Sequence, residues 1–134
     1  RGLGDVYKRQ KFYYRGCRMS YPPIAWLWLT LAIIGEIIGT TSLKASKEFT
    51  VLLPTLLIFI GYSISFYFMI LTMRHMPVAL TYAFWSALGI VCITVFSIIR
   101  FNEKPDLPAL IGIGFIIGGV LLITVFSKMK ASGT

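Results

Sequence analysis

The chain has 134 residues, of which 57% are hydrophobic, and a formal net charge of +8 at pH 7. That length leaves room for one compact unit and excludes a second domain. No hydrophilic stretch is long enough to fold alone, so the basic charge does not indicate a nucleic-acid-binding protein. The apolar residues instead form four long blocks, which predict an all-α membrane protein with four transmembrane helices and short loops.

Residues 1–18 differ in composition from everything that follows. The segment is basic and aromatic and has no apolar core, so it is not a signal peptide. We expect it to be a non-native or disordered basic leader, with translation beginning at Met19 and residues 19–134 forming a single four-helix domain. The alternative is that it anchors the protein at the lipid surface through its basic and aromatic side chains.

The first predicted span, residues 24–43, is organised around one carboxylate, Glu36. An ionisable residue in the middle of a membrane span is costly to keep charged, so by default it marks a functional site. The alternative is that Glu36 lies near a helix end and reaches water. No basic residue occurs inside any span to pair with it. The carboxylate can therefore take either a proton or a cation, which predicts exchange of the two at one site.

The second and third spans are predicted at residues 51–73 and 78–99, and each has an aromatic face. Positions three and four apart share one side of a helix, which groups Tyr62 with Ser65 and Tyr82 with Trp85. Aromatic rings attract organic cations through their π faces, so these residues would suit a hydrophobic cation bound to Glu36. Ordinary helix packing with aromatics at the membrane interface explains the same periodicity equally well.

The fourth span is predicted at residues 107–127 and is rich in glycine. Gly114 and Gly118 fit the small-xxx-small pattern of close helix contact, and Gly112 and Gly119 share a face seven residues apart. Asp106 before this span is typical of a helix N-cap. The span has no ionisable group, and four helices are few to enclose a chamber. We therefore interpret it as an assembly surface and predict a dimer.

The basic loop residues, counted from residue 19, divide almost evenly between the two sides of the membrane. One side has three and the other has four: Arg74, Lys128 and Lys130 against Lys44, Lys47, Arg100 and Lys104. Such a balance hardly specifies an orientation, so the chain could insert both ways. The charges of residues 1–18 would instead fix one orientation if that segment were native.

Residues 24–127 resemble the small multidrug resistance transporters, in their quaternary-cation multidrug branch. The resemblance rests on the segments Gly35-Glu36-Ile-Ile-Gly39-Thr-Thr and Tyr82-Ala-Phe-Trp85-Ser, and on the glycine pattern of the fourth span. It implies an antiparallel, dual-topology homodimer in the cytoplasmic membrane of a bacterium. The implied function is proton-coupled antiport that exports hydrophobic or quaternary organic cations, with no enzyme activity, no metal and no cofactor.

The same resemblance assigns roles to individual residues. Glu36 would bind proton and substrate in competition, Gly112 and Gly119 would form the dimer contact, and Gly89 would give its helix flexibility. The implied substrate chamber consists of Trp26, Ala32, Ile33, Thr40, Tyr62, Ser65, Tyr82 and Trp85.

Two other functions stay open. The first is a polyamine or guanidinium exporter of the same family, possibly one subunit of a heterodimer. Guanidinium exporters typically carry a tryptophan where this chain has Gly39, which favours the multidrug branch. The second is a membrane subunit that assists a larger complex without transporting. The chain departs from the family pattern at Glu48 and Ala87, where glycines are usual, and at Ala79 and Thr81.

Overall fold

The computed structural model of the protein describes residues 21–127, together with Gly2 and Gly4. Apart from those two glycines, the predicted leader lies outside the described residues, as do Lys128 and Lys130. The described part of the chain forms four helices and no strands: α1 (Pro23–Ala45), α2 (Leu52–Met73), α3 (Val78–Phe101) and α4 (Leu107–Phe126). Each is long and apolar enough to cross a membrane. The four predicted spans are confirmed, with ends that differ by no more than two residues.

The helix ends follow from local sequence. Pro23 occupies the first turn of α1, where the missing N–H costs nothing. At α4, the Asp106 side chain accepts a hydrogen bond of 3.0 Å from the Ala109 backbone N–H, which confirms the predicted N-cap. α3 ends at Asn102, whose φ of 53° places it in the left-handed region that asparagine tolerates.

α1 and α2 form the tightest pair of the bundle because glycines line their crossing. A Cβ placed on Gly35 would lie 2.7 Å from the Gly61 carbonyl oxygen and 2.7 Å from the Ser65 nitrogen. No real side chain fits at those distances, so the two backbones touch. α3 packs against both α1 and α2, and α4 packs against α3 alone.

The two ends of the bundle are held differently. At one end, Met76 from the α2–α3 connection is fully buried with Ala25 of α1 and Leu80 of α3. Phe84 and Ile123 pack against this cluster. Burial of these apolar side chains fixes the start of α1 against the start of α3.

At the other end, Lys44 of α1 forms an ion pair with Glu103 of the α3–α4 connection. The Ser97 hydroxyl donates to the same carboxylate, and the Lys44 ammonium lies 4.3 Å from the centre of the Phe101 ring. The hydrogen bonds from Lys44 and then from Ser97 hold the pKa of Glu103 below its ordinary value. This exposed group of residues ties the α3–α4 connection to the end of α1.

α4 is the least buried element, since none of its residues is buried within the subunit. A Cβ added to Gly112, Gly114, Gly118 or Gly119 would meet nothing within 4 Å. An open groove of about 700 Å³ runs along this helix, and its lining consists of Ile111, Gly114, Phe115, Gly118, Gly119 and Leu122. The glycines therefore do not serve packing inside one subunit.

Candidate functional site

Glu36 lies near the middle of α1, about 20 Å along the helix axis from Pro23. Its side chain is partly buried. One oxygen, Oε1, accepts a hydrogen bond of 2.5 Å from the Thr40 hydroxyl one turn later. The other oxygen, Oε2, is buried and has no hydrogen-bond partner among residues 21–127. A buried carboxylate oxygen without a partner is costly, so this atom is the natural place for a proton or a cation.

A second helix extends the hydrogen bonding of Glu36. The Tyr62 hydroxyl of α2 lies 3.0 Å from the Thr40 hydroxyl oxygen. Because the single Thr40 proton already goes to Glu36, Tyr62 must be the donor of this bond. The resulting chain runs from Tyr62 through Thr40 to Glu36, and both bonds point their protons towards the carboxylate. We refer to these three residues as the carboxylate chain.

The residues around the carboxylate chain are small or apolar. Ala32 and Ile33, one turn before Glu36 on α1, are buried, with exposures of 0% and 7%. Ser65 of α2 is fully buried beside Gly35, and its hydroxyl has no partner in the described part of the chain. Ser65 therefore offers a second free polar atom next to the residue that precedes Glu36.

The α3 aromatics form a separate pair. The rings of Tyr82 and Trp85 lie 5.3 Å apart at an angle of 49°. The Trp85 ring nitrogen is buried, and no described residue accepts a hydrogen bond from it. Tyr82 is 56% exposed and faces out of the subunit. One subunit thus presents the aromatic pair on α3 and the carboxylate chain on α1 and α2.

Trp26 lies far from Glu36 within the subunit. The two residues are about 15 Å apart along the axis of α1. The Trp26 ring instead packs edge-on against Phe84 of α3, with ring centres 5.1 Å apart. The same helix that carries the carboxylate chain therefore meets α3 near its own start.

Gly89, the predicted flexible position, lies inside the continuous helix α3. It is buried, yet an added Cβ would meet nothing within 4 Å. Ala87, which stands where the family usually has glycine, is also buried, with 5% exposure. The predicted role of Gly89 in helix bending stays a prediction.

Sequence reasoning did not select Thr81 as a site residue. Its hydroxyl is fully buried and has no partner among the residues that the structure describes. Threonines in membrane helices normally donate to the carbonyl four residues back. Six others here do so: Thr30, Thr41, Thr55, Thr72, Thr94 and Thr124. A sequence cannot distinguish the exception, because the choice depends on the rotamer.

No group of three or more histidine, cysteine, aspartate or glutamate side chains that could hold a metal ion occurs within residues 21–127. The polar atoms of the site are one carboxylate, a few hydroxyls and an indole N–H. Such a set can bind an organic cation through charge, through hydrogen bonds and through aromatic rings.

Comparisons with known proteins agree with this arrangement. A family model described as Small Multidrug Resistance protein matches residues 24–116. The quaternary ammonium compound-resistance protein QacE of Escherichia coli is 42% identical over 106 residues, which cover 79% of this chain and 96% of that protein. The multidrug transporter PA4990 of Pseudomonas aeruginosa is 45% identical over 108 residues, or 81% of this chain and 96% of that protein. QacG of a Staphylococcus species is 45% identical over 103 residues, or 77% and 96%.

Proposed function

The chain belongs to the small multidrug resistance family, and on that premise we propose that it is a proton-coupled antiporter for hydrophobic or quaternary organic cations. Glu36 would bind the proton and the substrate in competition. The relatives carry names of quaternary ammonium resistance and of multidrug transport, which support cation efflux as the task. The proposed location is the cytoplasmic membrane of a bacterium, and no cofactor is required beyond the proton gradient.

The observation that carries the proposal is the buried, unpartnered Oε2 atom of Glu36. No lysine or arginine lies inside any of the four helices except near their ends. In a low-dielectric environment a charged carboxylate without a partner is unstable, so it takes up a proton or holds a cation. Because the two occupants neutralise the same charge, they exclude each other. Competition at a single carboxylate is sufficient to couple their movements.

The carboxylate chain supports the charged form of Glu36. Thr40 donates to Oε1, and Tyr62 donates to Thr40 in turn. Hydrogen bonds that point towards a carboxylate favour its ionised state. Loss of the proton therefore leaves an oriented anion ready for a cation on its Oε2 side. Return of the proton removes the charge that holds the cation, and the substrate leaves.

We propose that a dimer completes the substrate chamber. Two subunits inserted in opposite directions would bring a Glu36 from each to a shared chamber, where the two carboxylates titrate as a coupled pair. Tyr82 is exposed in the single subunit and would line that chamber with Trp85. The contact between subunits would lie on α4 at Gly112 and Gly119, which have no packing partner within the subunit.

A second substrate class receives support from two buried acceptor atoms. The Oε2 atom of Glu36 and the Ser65 hydroxyl have no partner in residues 21–127, and both can accept N–H hydrogen bonds. A quaternary ammonium ion has no N–H group, whereas polyamines and guanidinium ions do. Export of those cations, by a homodimer or by one half of a heterodimer, is therefore the alternative function.

Transport in proteoliposomes tests the proposal. The purified protein is reconstituted, a pH gradient is imposed, and uptake of labelled tetraphenylphosphonium is followed for the parent and for Glu36→Gln. We expect uptake driven by the gradient in the parent and uptake at the background level in the variant. Gradient-driven transport by Glu36→Gln would refute the role of the carboxylate. Guanidinium in place of tetraphenylphosphonium tests the alternative class in the same vesicles.

A further inference from the structure

Three glycines form the contact between α1 and α2 and leave no space for a side chain. A Cβ on Gly61 would lie 2.6 Å from the Gly39 nitrogen and 2.8 Å from the Gly35 carbonyl oxygen. A Cβ on Gly39 would lie 3.2–3.3 Å from three carbons of the Tyr62 ring. The first two contacts involve backbone atoms, which cannot rotate away. The position of Gly61 therefore sets the distance between the two helices.

Each of these glycines directly precedes one member of the carboxylate chain. Gly35 precedes Glu36, Gly39 precedes Thr40 and Gly61 precedes Tyr62. Neighbouring residues on a helix are rotated by about 100°, so each member lies at the edge of the contact and not inside it. The backbone contact thus brings the polar side chains of two helices together at one edge.

Only one bond of the carboxylate chain depends on the helix spacing. The Thr40 bond to Glu36 lies within α1, whereas the Tyr62 bond to Thr40 joins α2 to α1 and measures 3.0 Å. A methyl group at Gly61 would have to gain about 1 Å to reach ordinary van der Waals contact. The same displacement would stretch the bond between Tyr62 and Thr40 beyond hydrogen-bond distance.

We propose that Gly61 is a positioning residue for Glu36, because the backbone contact it permits holds the Tyr62 hydroxyl on Thr40. This inference rests on the proposed role of Glu36 as the proton and cation site. Gly61 touches neither proton nor substrate and acts through Tyr62. The chain from α2 delivers a second oriented dipole to the carboxylate that one helix alone cannot supply.

A double-mutant cycle distinguishes positioning from general packing. Tetraphenylphosphonium affinity is measured for the parent, for Gly61→Ala, for Tyr62→Phe and for the double variant. We expect each single variant to bind roughly fivefold more weakly, as for loss of one hydrogen bond. The double variant should be no weaker than Tyr62→Phe alone, since the bond can be lost only once. Multiplicative losses in the double variant would overturn the proposal.

A spectroscopic readout tests the same bond without any substrate. The ¹³C resonance of the Tyr62 ring carbon that bears the hydroxyl reports its hydrogen bonding in labelled, detergent-purified protein. We expect Gly61→Ala to move this resonance, and an unchanged resonance would overturn the proposal. If the parent does not bind tetraphenylphosphonium, the proposed function fails, while the resonance still decides whether Gly61 positions Tyr62.

Matched variants control for effects of the added methyl group itself. Gly114→Ala puts the same methyl on α4, where it meets nothing within 4 Å, so it should leave the Tyr62 resonance and the affinity unchanged. If Gly61→Ala does not fold, Gly39→Ala decides, because its methyl meets only the movable Tyr62 ring. We expect Gly39→Ala to move the Tyr62 resonance and to show the same saturation with Tyr62→Phe. Independent effects would overturn the proposal.

Discussion

Replacement of Glu48 by glycine should stabilise the protein. Glu48 lies in the connection between α1 and α2, with a φ of 59°, between Lys47 at 47° and Phe49 at 64°. Three consecutive residues other than glycine in the left-handed region are unusual. The Glu48 side chain is exposed and makes no hydrogen bond or ion pair with other described residues, so its loss removes no contact. The connection is held by Ser46, whose hydroxyl accepts from the Phe49 N–H.

The expected gain follows from the backbone conformation. A left-handed residue with a Cβ costs about 1–2 kcal/mol, which glycine avoids. Glycine also gains freedom in the unfolded chain, which offsets roughly 0.5–1 kcal/mol of that gain. We therefore expect Glu48→Gly to raise the free energy of unfolding by about 1 kcal/mol. For a chain of this size that corresponds to a rise in Tm of about 4 °C.

Thermal unfolding in detergent, followed by circular dichroism, measures the effect. Glu48→Ala is the matched control, because it removes the charge but keeps a Cβ at positive φ. We expect Glu48→Ala to leave Tm near that of the parent. A rise in Tm as large in Glu48→Ala as in Glu48→Gly would refute the reasoning, since the charge and not the backbone would then be the cause.

Three further predictions concern the ion pair, the carboxylate chain and the dimer. Because the pKa of Glu103 is lowered in the folded protein, its pairing with Lys44 contributes stability above the ordinary pKa of 4.5 and loses it as the pH falls. Glu103→Gln should therefore lower Tm at neutral pH and have little effect near pH 3, in unfolding scans at both pH values; equal effects at both would contradict this. Thr40→Val should weaken tetraphenylphosphonium binding about tenfold in equilibrium titrations, because it removes a donor to a charged group. Thr41→Val should not, since that hydroxyl donates to its own helix; equal effects would contradict the carboxylate chain. Gly119→Leu should abolish cross-linked dimers in membranes if α4 forms the contact, and a dimer that persists would place the contact elsewhere.

The local features of the fold could be predicted from the sequence because they depend on neighbouring residues. The four apolar blocks and the short connections between them determined the helices. Asp106 followed by a proline was sufficient to predict the start of α4, and the hydrogen bond to Ala109 confirms it. Glu36 stood out because it is the one charged residue near the middle of a span. The family resemblance, confirmed by the comparisons, placed the chain among cation transporters.

The tertiary contacts could not be predicted in the same way. The ion pair of Lys44 with Glu103 joins residues 59 positions apart, and nothing in the local sequence links them. The importance of Gly61 appears only when α1 lies against it, since a single glycine in a span has many explanations. The predicted chamber is incomplete in one subunit because Tyr82 faces outward. The dimer and the site roles stay predictions for the experiments above.

Proton release on substrate binding tests the central claim most directly. Tetraphenylphosphonium is added to the detergent-purified protein in weak buffer, and the pH change is recorded for the parent and for Glu36→Gln. The competition of proton and cation for the unpartnered Oε2 atom predicts release by the parent and none by the variant. Cation binding by the parent without proton release, or equal release by Glu36→Gln, would contradict the account.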